Sequence, residues 1–150
     1  MAHIKKSILI HAPVEKVFAF ARDPNHWASF WVGLSEPEEV SGTGEVGTVV
    51  KHSYLMAGIH FPVTSRVLED HIGPERGVWR GTIEGPLDGG QTWTYTPQNG
   101  DTEVTADIEY TVPGAALGRI ADRLIIERIQ AHSLEQTLEN LKLLCEQGAV

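Results

Sequence analysis

Apolar and polar residues alternate with a period of two from about Glu38 to Val112, the spacing that sends every second side chain of a strand to the same face. Glycine, proline and asparagine interrupt the alternation at Gly42 to Gly47, Gly73-Pro74, Leu87 to Gly90 and Asn99-Gly100. The segment therefore predicts a meander of about six strands. Its last strand is the cleanest: Val104, Ala106, Ile108, Tyr110 and Val112 form a core face, and Glu103, Thr105, Asp107, Glu109 and Thr111 a wet one. Ile4 to His11 predicts one further strand ahead of the meander. Pro62, inside the fourth strand, predicts an edge or a bulge there, because proline cannot donate to a ladder.

Between the first strand and the meander the period becomes helical. Pro13 suits a helix start, Val14, Val17, Phe18 and Ala21 follow on one face, and Pro24 ends the run. Asn25 predicts the cap of a second short helix, in which Trp27, Phe30 and Trp31 share a face before Gly33 closes it. Beyond Pro113-Gly114 the chain predicts one helix from about Ala115 to Gln147, stopped by Gly148 and about 50 Å long. Leu117, Ile120, Leu124, Ala131, Leu134, Leu138, Leu141 and Cys145 form its apolar stripe. So long a stripe needs an equally long partner, and the inner face of the sheet supplies it. The expected architecture is α+β, a single domain over residues 1–150, with a seven-stranded antiparallel sheet wrapped around a long C-terminal helix.

Charge narrows the partners. Twelve Lys and Arg against twenty Asp and Glu give a net charge of -8, which repels phosphate backbones, so no nucleic acid is expected. No run reaches the roughly 20 apolar residues of a membrane span, and no basic, apolar leader opens the chain. With one cysteine, Cys145, no internal disulfide forms, and a reducing cytoplasm is the expected compartment.

The candidate chemistry is sparse. Gly42-Thr43-Gly44-Glu45-Val46-Gly47 fits the spacing of a dinucleotide loop, but strand-forming residues follow it where that loop needs a helix N-terminus, so a mobile pocket rim is expected instead. The seven histidines show no ligand spacing, so neither a metal nor a cofactor is expected. Trp93 and Tyr95 share a strand face, Tyr110 lies on the core face of the last strand, and Trp79 alternates with Gly81 and Ile83. Small residues such as Gly81 on an inner face leave room for a guest. These residues, with Leu117, Ile120 and Leu124 of the helix and Phe30 and Trp31 closing one end, are the expected ligand-binding set. Glu127 and Arg128 break the helix stripe, either as solvated charges over the pocket mouth or as groups holding a polar head. Ile125, Ile126 and Ile129 lie on the opposite side and mark a candidate homodimer or docking contact.

The stretch Ile10-His11-Ala12-Pro13-Val14-Glu15-Lys16-Val17-Phe18, with Asp23 soon after, resembles the opening of the START-like (SRPBCC) superfamily. Tyr110-Thr111-Val112-Pro113-Gly114-Ala115-Ala116-Leu117-Gly118, leading to Leu138, Leu141-Lys142 and Glu146, is similar to the closing strand and helix of its polyketide cyclase/dehydrase-like branch. The resemblance covers nearly the whole chain and implies a helix-grip fold. Superfamily members include polyketide cyclases, lipid and quinone carriers, hormone receptors and cochaperones, so the fold alone assigns no reaction. Three readings stay open. The first is a binder of a hydrophobic lipid, quinone or polyketide-like molecule. The second is a cyclase or dehydrase with Tyr54, His52, Tyr110 or Glu127 as acid or base and Arg128 or Arg66 placing a carbonyl. The third is a cochaperone-like interaction module using the outer isoleucines.

Overall fold

The computed structural model describes residues 1–147, so the helix stop expected at Gly148 lies outside the described residues. The chain runs β1 (Ala2–Ile10), α1 (Val14–Ala21), a 3-10 turn (Pro24–His26), α2 (Trp27–Phe30), β2 (Glu39–Ser41), β3 (Val49–Met56) and β4 (Ile59–Ile72). It continues through β5 (Gly77–Glu84), β6 (Asp88–Gln98), β7 (Asp101–Thr111), α3 (Gly114–Arg119) and α4 (Arg123–Glu146). The strands form one seven-stranded antiparallel sheet in the order β1-β7-β6-β5-β4-β3-β2. This is the α+β helix-grip arrangement expected from the sequence. Because β1 and β2 lie at opposite edges, the segment carrying α1 and α2 must cross from one edge to the other, and it closes one end of the fold.

Two tight turns set the register of the hairpins. Asn99 and Gly100 both have positive φ (52° and 88°), the backbone that matches strand twist in a two-residue loop. Ala57 and Gly58 (52° and 78°) make the same turn between β3 and β4. That turn escapes a sequence reading because alanine rarely takes this conformation. Pro62 pairs with Ser53 of β3, while the β4–β5 ladder begins only at Thr64 opposite Glu84, so the proline sits at a local edge. The bulge in β4 falls instead between Val67 and Glu69. The short helical segment is capped by Asp23, whose carboxylate accepts from the Asn25 backbone N–H at 3.0 Å, and not by Asn25 as expected.

The C-terminal helix departs from expectation in a way that matters for the site. It is broken at Ile120, which is extended, and restarts where Asp122 caps α4 by accepting from Leu124 N–H at 2.9 Å. The 24 residues of α4 span about 36 Å. The restart changes the helical phase. The buried stripe is Ile126, Gln130, Leu134, Thr137, Leu138, Leu141 and Cys145. Leu124, expected in the core, is 63% exposed, and Ile126, expected on the outer patch, is 1% exposed. Leu117 and Ile120 pack against the core only partly buried.

Two side-chain contacts from α4 fix the crossing segment in place. Thr137 Oγ1 accepts from Val32 N–H at 3.0 Å, and Asn140 donates to the Phe30 carbonyl at 3.1 Å. At the other end of α1, Arg22 donates two hydrogen bonds, at 2.8 and 2.7 Å, to the largely buried Asp70 of β4.

Candidate ligand cavity

Between the inner face of the sheet and α4 lies a cavity whose empty volume, counted out through its mouth, is about 890 Å³. Alternation along the strands delivers its walls. Inward positions of β3 give His52, Tyr54 and Met56, those of β4 give Val63 and Ser65, and those of β5 give Trp79 and Ile83. β6 contributes Gln91, Trp93 and Tyr95, β7 contributes Ile108 and Tyr110, and α4 contributes Gln130 and Leu134. Trp27, Phe30, Trp31 and Leu34 close one end.

Aromatic rings brace one another around this space. Trp27 meets Trp79 edge to face with centroids 5.6 Å apart, Phe30 meets Trp93 at 6.4 Å, and Trp31 tilts against Trp93 at 5.2 Å. All four tryptophans of the chain line the cavity.

The polar groups divide into paired and unpaired. The Tyr54 hydroxyl donates to Gln130 Oε1 at 2.7 Å, and Trp93 Nε1–H donates to Gln91 Oε1 at 2.9 Å. The Trp27 indole donates to the Ala21 carbonyl at 3.0 Å. His52 Nε2 is bonded to Ser65 Oγ at 2.8 Å. By contrast, His52 Nδ1, Trp79 Nε1 and the Tyr110 hydroxyl are buried with no partner in the protein, and all three residues line the cavity. Burial pushes the His52 pKa down to about 4, so its imidazole is neutral near pH 7. It pushes the Tyr54 and Tyr110 phenols up to about 12, and the negative charge of Glu127 adds to the effect on Tyr110. The Tyr95 phenol is likewise raised by burial.

Of the residues singled out in the sequence, Phe30, Trp31, Trp79, Ile83, Trp93, Tyr95, Tyr110, His52 and Tyr54 stand around this cavity. Leu117, Ile120 and Leu124 do not, because the break after α3 carries them away from it. Gly81 is covered by the Trp79 indole, and a Cβ there would lie 2.7 Å from that ring and 2.9 Å from the Arg66 carbonyl oxygen. Its missing side chain makes room for Trp79 and leaves no space for a guest. Arg66 points outward and donates to Glu84 at 2.7 Å, Arg128 is exposed, and Glu127 is half-buried outside the wall. The glycine-rich loop contributes no residue to the wall, which corrects its expected role as a rim. It folds onto Thr48, whose Oγ1 accepts from Gly44 N–H at 3.0 Å.

Sequence reasoning missed Ser65, Gln91 and Gln130. Each is a polar residue at a position whose phase is set by apolar neighbours. Ser65 lies between Val63 and Val67, Gln91 leads into Trp93 and Tyr95, and Gln130 sits four residues from both Ile126 and Leu134. Among the described residues, no group of three or more His, Cys, Asp or Glu is placed to hold a metal. No described helix is long and apolar enough to cross a membrane.

A curved sheet gripping a helix over an apolar, aromatic cavity is the helix-grip arrangement. A family model described as polyketide cyclase / dehydrase and lipid transport matches residues 1–146, and the chain belongs to that family. Among curated proteins none matches. Among solved structures, the fold is similar to that of a Thermus thermophilus protein (TM-score 0.78, 19% identity, covering 99% of this chain and 100% of that one). It is also similar to the Zhui aromatase/cyclase of a Streptomyces species (TM-score 0.75, 18% identity, 99% and 96%). A norcoclaurine synthase from Thalictrum aligns with a TM-score of 0.66 at 13% identity, over 99% of this chain and 96% of that one.

Proposed function

We propose that the protein binds a hydrophobic small molecule of lipid, quinone or polyketide-like type in the cavity between the sheet and α4. One observation carries this reading. Three buried polar atoms, on His52, Trp79 and Tyr110, lack protein partners, and all belong to residues lining the same otherwise apolar space. Leaving a buried donor or acceptor unpaired costs about 1–3 kcal/mol. A core that serves packing alone gains nothing from three such groups around one void, whereas a ligand with polar atoms satisfies them. Native mass spectrometry of protein purified from its own host tests the proposal. An adduct that organic extraction removes is the expected result. The bare chain mass, together with no binding of an apolar fluorescent probe, overturns it.

A second reading, as a cyclase or dehydrase, is favoured by His52. Its imidazole is held by Ser65 through Nε2, which leaves Nδ1 without a protein partner beside the apolar cavity and free to accept a proton. It would take a proton from the activated carbon of a ketone chain folded in the cavity. The family and the similarity to an aromatase/cyclase support this reading as well. His52→Gln separates the two readings: loss of turnover of a poly-ketone substrate with retained binding supports catalysis, and unchanged turnover excludes His52 as the base.

A further inference from the structure

The cavity wall carries no formal charge. None of the described Lys, Arg, Asp or Glu side chains lines it, and its one imidazole is neutral. An anion entering such a space loses its hydration and meets no cation, which is strongly unfavourable. The groups that are offered have defined character: Trp79 Nε1–H only donates, the Tyr110 hydroxyl donates or accepts, and His52 Nδ1 does one or the other according to tautomer.

These groups are spread around the wall, on β3, β5 and β7. His52 and Trp79 flank the Trp27 ring, whose centroid lies 6.1 and 5.6 Å from theirs. Tyr110 comes from β7, two strands beyond Trp79 of β5 in the sheet order, and His52 from β3, two strands to the other side. Successive groups therefore stand two strands apart, about 10 Å across the sheet, on the scale of a fused two-ring system.

From these features we infer that the ligand is uncharged, with a ring-shaped apolar body and neutral hydroxyl or carbonyl oxygens at both ends, and that the cavity discriminates against carboxylates, fatty-acid anions included. This ligand class presupposes that the cavity binds a small molecule at all.

Isothermal titration calorimetry of the whole chain at neutral pH, with four related compounds, tests it: naphthalene, a naphthalenediol with its hydroxyls at opposite ends, the corresponding hydroxynaphthoate, and the methyl ester of that acid. The diol and the ester are expected to bind at least tenfold more tightly than the hydroxynaphthoate, and the diol more tightly than naphthalene. Trp79→Phe and Tyr110→Phe should each weaken the diol severalfold and leave naphthalene unchanged. Hydroxynaphthoate binding as tightly as its ester, or naphthalene matching the diol, overturns the inference while the cavity reading stands. If none of the four binds and an apolar dye also fails to bind, the cavity reading falls and this ligand class with it.

Discussion

His52 sits 3% exposed in β3, bonded to Ser65 through Nε2 and within reach of the Trp27 ring. Its pKa falls from 6.5 to about 4 because the charged form would be stripped of water. The unfolded chain therefore takes up a proton as pH drops through 6.5, while the folded chain resists until about 4. Stability is unaffected above pH 7, declines between those values and levels off below them. The loss is at most about 3 kcal/mol. Urea denaturation at a series of pH values should show this acid limb, and His52→Gln, which can still bond Ser65, should flatten it. An unchanged limb would assign the loss to other groups. At this scale the sequence was legible where side chain and phase agree. Trp79, Trp93, Tyr95 and Tyr110 are apolar-bodied residues at inward strand positions. Gln91, Ser65 and Gln130 were not legible, because polarity argues for an outward position while phase places them inward, and only packing against Trp93, His52 and Tyr54 settles it.

Among the elements, β7 and α4 show how far periodicity reaches. The alternation of β7 survives intact, from Thr102 through Tyr110 on the buried face, because a strand's period is two and leaves no phase to drift. A helix stripe can be drawn in more than one phase. Joining Leu117 and Leu124 to Ala131 assumed an unbroken helix, which the Asp122 cap interrupts, and the core stripe instead counts back from Leu134 through Gln130 to Ile126. Two substitutions separate the alternatives. Leu138→Ala, at a site 2% exposed, should cost about 2–5 kcal/mol through lost transfer energy and a residual cavity. Leu124→Ala, at a site 63% exposed, should cost less than about 0.5 kcal/mol in the same denaturation experiment. Equal costs would mean that α3 and α4 form one continuous helix in solution. The same phase shift dissolves the expected patch of Ile125, Ile126 and Ile129, since Ile126 is inside and the exposed group is Leu124, Ile125 and Ile129.

For the molecule as a whole, the sheet has to curl around α4 without closing on it. The bulge in β4 bends one part, and Gly89 of β6, where a Cβ would lie 2.0 Å from the Glu109 carbonyl oxygen, permits a close approach of β6 to β7. Curvature of this kind leaves the cavity as unfilled volume, whose aromatic walls hold one another apart. Filling it should therefore trade function for stability, provided the added atoms enter the void. Gly81 is the wrong position for that, since its Cβ would strike the Trp79 ring and a backbone oxygen before any larger side chain could reach the space. Ile83, half-buried on the cavity wall two residues along the same strand, is the better one. Ile83→Trp extends a ring into space that is already open, so it avoids the roughly 1–3 kcal/mol penalty of overpacking a dense core. Its melting temperature should match or exceed that of the parent chain, while affinity for an apolar fluorescent probe should fall at least tenfold. If Ile83→Trp folds as stably and binds the probe as the parent does, the probe occupies another surface and the cavity is not the binding site.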